Sequence, residues 1–373
     1  MRNLLLVVLL FACESGNGAV PQDSHTQDTV DDTSELLCPL LESTSLGTVE
    51  FDATGVSGEL SIEIPPDAVS FLVSVRGTND HFYTTASLTA PDGSQWVEFD
   101  WYKNSTHLLC ISCVNRVASA RSGYALFVPI SPQRVMQAGI WRLQLLAFDG
   151  NLPIQGLPGK AAVEVHIKRA NIDPLNGSVN IRVHLSGENG RLASNAEDDP
   201  ELQSALNTMG ELFSQVDISI DKVSYSDVSD SFQTLHEADY ESLIAESQAQ
   251  PGELSFFLVG ELNTDDGQLR GLTTVPGPWG APTQRSGIVI STAPQGGDTS
   301  STLGAVMAHE LGHYLGLFHV TETALGKIHD PIPDTAPFST NNLMSTQVGG
   351  GELTEGQGQV MRLHPAVAHS CPE

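Results

Sequence analysis

Apolar and polar residues alternate with period two through much of the first half of the chain. Leu60, Ile62 and Ile64 fall on one face of such a segment, as do Phe71, Val73 and Val75, and then Val97, Phe99 and Trp101. Trp141, Leu143 and Leu145 repeat the pattern, and Val163, Val165 and Ile167 close it. Successive side chains of a strand point to opposite faces, so each segment predicts a strand buried on one side. Turn chemistry separates them, in "PDGS" at 91–94 and "DGNLP" at 149–153. Short strands at this spacing predict an antiparallel β-sandwich over residues 37–170. Its histidines, His81, His107 and His166, are scattered and form no catalytic constellation; a binding or positioning module is one reading of this half and a propeptide-like shield another, and fold alone does not decide between them.

Near residue 171 the period changes. "VNIRVHLS" (179–186), "DISIDKV" (217–223), "LSFFLVG" (254–260), "RGLTTV" (270–275) and "SGIVIS" (286–291) predict strands. Between the first two, Leu202, Ala205, Leu206, Met209, Leu212 and Phe213 recur at helical spacing. The near-continuous apolar run of 254–260 suits an interior strand. Strands alternating with helices predict an α/β domain over 171–373, so the fold class is two domains, an all-β sandwich followed by an α/β unit.

The chain's ends and charge narrow its surroundings. Residues 1–13 carry one basic residue and an apolar run from Leu4 to Phe11, too short to span a bilayer. Leu10-Phe11-Ala12-Cys13 resembles a bacterial lipobox, which implies lipidation at Cys13 and a place in the bacterial cell envelope, at the outer membrane or cell surface, with secretion as the other reading. Residues 14–36 are polar and predict a flexible tether. Cys38, Cys110, Cys113 and Cys371 then form an even set in a compartment that permits disulfides, and structural bridges are expected. Seventeen basic against 45 acidic residues give a formal charge of −28, which argues against nucleic acid as a partner, since phosphate binding needs clustered Lys and Arg.

The chemistry lies in "HELGHYLGLFH" (309–319), which ends a predicted helix starting near 298–302. His309 and His313, one turn apart, can reach one ion. Gly316 permits a left-handed turn that ends the helix and swings His319 back as a third ligand. Glu310 points elsewhere around the helix, toward a metal-bound water. Three neutral imidazoles leave the full charge on zinc, which lowers the pKa of a bound water toward about 7. Glu310 would take that water's proton during attack on a scissile carbonyl and pass it to the leaving nitrogen.

The extended motif resembles that of the metzincin zinc peptidases, and "DPIPDTAP" and "NNLMST" downstream are most like the pappalysin family, over residues 175–365. The resemblance implies that His309, His313 and His319 bind zinc, that Glu310 is the catalytic acid/base, and that Met344 forms a methionine turn beneath the metal. It also implies that the strand at 270–275 is an edge to which an extended protein or peptide substrate adds. Asp330, Asp334 and Thr335 fall in a segment that can hold calcium in relatives. Thr346 stands where some relatives carry a tyrosine, and His329 is not expected among the ligands. The expected function is that of a zinc-dependent endopeptidase; the alternative is a surface-binding lipoprotein with a structural zinc site.

Overall fold

A computed structural model of the protein describes residues 14–15, 41–98, 100–102, 109–110, 113–150, 154–169, 176–264, 267–280, 286–293, 300–322 and 327–369. Cys13, Cys38 and Cys371 lie outside these residues. Glu14–Ser15, inside the segment read as a tether, pair in parallel with Gln347–Val348. No helix among the described residues is long and apolar enough to cross a membrane.

Two main antiparallel sheets make up the first half, beside a small antiparallel pairing of Leu109–Cys110 with Val117–Ala118. One has the strand order 123–128, 68–77, 159–169, 41–51, and the other 60–64, 139–148, 82–89, 95–98. Phe71, Val73 and Val75 of the first meet Trp141, Leu143 and Leu145 of the second in one apolar core, where the Phe71 and Trp141 rings sit edge to face at 5.4 Å between centroids. The strands at 41–51, 82–89 and 123–128 do not show in the period-two pattern. "LESTSLGTVEF" is mostly polar and exposed, and "GYALFV" is apolar and buried at every position, so neither alternates. Cys110 and Cys113 are bonded to each other, which makes this pair a local loop closure rather than a link between distant elements.

The expectation of strands buried on one side fails for the sheet that carries 68–77. Leu72, Ala125 and Phe127, on its other face, belong to the core of the second half. Polar residues of that face bind across as well. Ser70 Oγ donates to Leu363 O, Ser74 Oγ to Trp279 O, and Lys168 Nζ to the carbonyls of Arg362, His364 and Val367 at 2.6–2.9 Å. Burial pulls Lys168 well below the ordinary lysine range, while three acceptors suit the three donors of an ammonium group. Lys168→Met would strand those carbonyls in an apolar seam, so unfolding free energy should fall by about 2–4 kcal/mol, read as a lower urea midpoint at unchanged slope.

The second half is built on a sheet of order 218–227, 177–185, 253–259, 288–291, 271–272, parallel except for the last strand. Helix α1 (Pro200–Ser214) starts at Asp199, whose side chain accepts from Glu201 N and Leu202 N, with proline in the first turn. It buries Leu202, Ala205, Leu206, Met209 and Phe213 of the stripe expected from the sequence, with Leu212 only partly buried against the same core. After α2 (Tyr240–Ala245), α3 (Ser300–Tyr314) packs against α1. Gly304 makes that approach close, since a Cβ there would lie 2.5 Å from Ala205 O. Helix α4 (Glu355–Arg362) opens with a capping box between Thr354 and Gln357.

Candidate metal centre

Helix α3 ends at Tyr314 in the hydrogen-bond pattern of a Schellman turn. Leu317 N donates to Gly312 O and Gly316 N to His313 O, with Gly316 at φ 103°. An L side chain rarely takes that angle, so glycine is what lets the chain reverse here. The reversal carries His319 back to the helix. His309, His313 and His319 are buried, and their candidate ligand atoms lie within 4.8 Å of one another. Among the described residues this is the only such cluster of His, Cys, Asp and Glu.

The rings are held by their far nitrogens. His309 Nδ1 lies 2.6 Å from Leu343 O and His313 Nδ1 lies 2.7 Å from Leu317 O. A carbonyl only accepts, so each Nδ1 carries the proton and each Nε2 presents a lone pair. His319 Nδ1 instead faces a carboxylate, Glu322 Oε2, at 3.3 Å. Burial drives His309 down to about 3 and His313 well below the ordinary histidine range, so both are neutral at physiological pH. His309 Nε2 is buried with no hydrogen-bond partner, a costly state for a lone pair that a metal ion would relieve. The donor set fits zinc: three imidazoles, two of them neutral and oriented by backbone carbonyls and the third facing a carboxylate.

Leu343 and Met344 support the cluster from below. Met344 is fully buried; its N–H is held by Asn342 Oδ1, and its carbonyl accepts from Val320 N, next to His319. Asn342 is itself paired with Gln357 of the α4 capping box. A Cβ on Gly312 would lie 2.6 Å from Met344 Sδ, so the helix carries glycine where the thioether passes beneath it. Gly312→Ala should therefore destabilise the fold by about 1–3 kcal/mol through overpacking, read as a lower melting temperature with and without metal.

Glu310 is fully buried and lies against the sheet's last strand: a Cβ on Gly271 would come within 2.5 Å of Glu310 Oε1. Only Gly271–Leu272 of the expected 270–275 strand forms, at the sheet edge and antiparallel to 288–291. Of Asp330, Asp334 and Thr335, the first and last are bonded to each other while Asp334 binds the start of α4. Asp330 Oδ1 accepts from Thr335 Oγ1 and Ile332 N, whereas Asp334 accepts from Thr354 Oγ1 and Gly356 N at the start of α4. His329 hydrogen-bonds Val320 O and Thr335 O, apart from the three clustered histidines. Gly271, Gly312 and Glu322 escaped the sequence reading. Their roles depend on neighbours that only folding brings close.

No protein-family model matches the chain, and no curated protein matches its sequence. Among solved structures 112 chains match. Metalloproteinase-II from Bacteroides fragilis is 14% identical with a TM-score of 0.34, over 57% of this chain and 63% of that one. The structure of a chaperone–substrate complex is 14% identical with a TM-score of 0.33, over 52% of this chain and 35% of that one. This chain thus spans less than two thirds of the length of each.

Proposed function

We propose that the protein is a zinc-dependent endopeptidase of metzincin type, most like the pappalysin family, with its second half as the peptidase domain and its first half as a β-sandwich. The observation that carries the reading is the buried trio His309, His313 and His319 beside buried Glu310. Bound by the trio, zinc would supply Lewis acidity to a scissile carbonyl and to a water molecule. Glu310 holds and removes the proton of the attacking water and returns it to the leaving nitrogen. The edge at Gly271–Leu272 offers backbone groups to an extended peptide next to Glu310. A purely structural metal leaves unexplained why a carboxylate is buried there, at the cost that burying a charge carries. Lipidation at Cys13 would place this activity at the bacterial cell envelope.

Metal analysis and a peptide-library digest read by mass spectrometry test the proposal. The purified chain should hold about one zinc and cleave internal peptide bonds, and a chelator should stop cleavage until zinc is restored. A zinc-loaded chain that cleaves nothing across a broad library overturns it in favour of the binding lipoprotein.

A further inference from the structure

The three histidines are not supported alike. His309 and His313 donate to neutral backbone carbonyls, whereas His319 faces Glu322. Glu322 is 4% exposed, and its Oε1 is buried without a hydrogen-bond partner. It stands on Thr321–Glu322, a short strand paired antiparallel with Ile328–His329. A carboxyl group buried this deeply depends on polar partners to offset its lost hydration.

A cation from the other half of the chain lies close to this segment. Arg116 lies just beyond the Cys110–Cys113 disulfide and directly before the Val117–Ala118 strand, and is 3% exposed. Its Nη2 donates to His329 O at 2.7 Å, on the strand that pairs with Thr321–Glu322. Its guanidinium carbon stands 5.3 Å from the centroid of the Phe318 ring, the residue before His319. Glu322 and Asp330 both attract it electrostatically. Arg116 therefore touches Phe318, directly before His319, and the strand paired with Thr321–Glu322, just after it.

We propose that Glu322 and Arg116 are positioning residues for His319, so that a side chain of the N-terminal sheets sets the metal affinity of a site in the other half. The inference rests on the reading of the trio as a zinc site. Glu322, accepting from Nδ1–H, fixes the ring and its tautomer and strengthens Nε2 as a donor. Arg116 balances the carboxylate and, through His329 O, holds the paired strands that carry it. The first half thus completes the support of the metal centre.

The test uses the full chain as wild type, Glu322→Gln, Arg116→Gln and Arg116→Lys. Zinc affinity is measured by competition with a chromophoric chelator, the ligand field by the visible spectrum of the cobalt(II) form, and stability by melting of the metal-free proteins. Glu322→Gln keeps volume and an acceptor oxygen, yet should weaken zinc by about tenfold to a hundredfold and alter the cobalt bands. Arg116→Gln should weaken zinc in the same direction, and Arg116→Lys should recover part of the loss. If Glu322→Gln binds zinc as tightly as wild type with unchanged cobalt bands, the proposal falls. If Arg116→Gln lowers only the melting temperature, Arg116 is structural and its part falls. Should Arg116→Gln not fold, the Glu322→Gln comparison still decides. A wild-type chain that binds no zinc overturns the metal reading itself, an outcome distinct from the others.

Discussion

Replacing Glu310 by alanine should leave zinc near one per chain while peptide hydrolysis drops by about a hundredfold to ten-thousandfold, the usual worth of a positioned general base. All three imidazoles stay, with Nδ1 of His309 and His313 still tied to Leu343 O and Leu317 O. Only the group that moves protons is lost. His319→Ala provides the contrast, because it removes a ligand and should take zinc and activity together. Elemental analysis and library digestion of both variants separate the cases. A Glu310→Ala protein that cleaves as fast as wild type would refute the assigned mechanism.

Gly271→Ala should cost about a hundredfold in cleavage without loss of zinc, because a displacement near 1 Å of a reacting group has that effect. The added methyl would lie within 2.6 Å of Glu310 Cγ, Cδ and Oε1, and the buried glutamate has no solvent to retreat into. The ligands hang on α3 and the turn after it, so the metal should remain. Gly58→Ala serves as control, since nothing lies within 4 Å of a Cβ at that position. Equal rates for Gly271→Ala and wild type, at equal zinc content, would show that Glu310 tolerates the shift and that its present position is not what catalysis needs.

Amide exchange should mirror the coupling of the two halves. Leu72 and Phe127 share a core with α3, and a Cβ on Gly316 would lie 2.8 Å from the Phe127 ring. The first strands and α3 are thus expected to open together rather than in sequence.

What the sequence determined by itself was local. Histidines four apart on a helix, a glycine at the reversal and a third histidine three residues on are all set within 309–319 by helix geometry and the left-handed turn, and α1 follows from its own stripe and its Asp199 cap. Period two likewise exposed the strands whose faces differ, such as 60–64 and 139–148. It could not expose 123–128, buried at every position, because alternation records a difference between two environments and this strand has apolar cover on both sides. Tertiary structure alone decided which pairs meet across the chain: Gly271 with Glu310, Gly312 with Met344, Lys168 with the carbonyls at and beyond the end of α4, and Arg116 with the segment around His319. Those pairings depend on side-chain volume and charge at contacts made only when the sheets and helices pack, and no spacing along the chain encodes them.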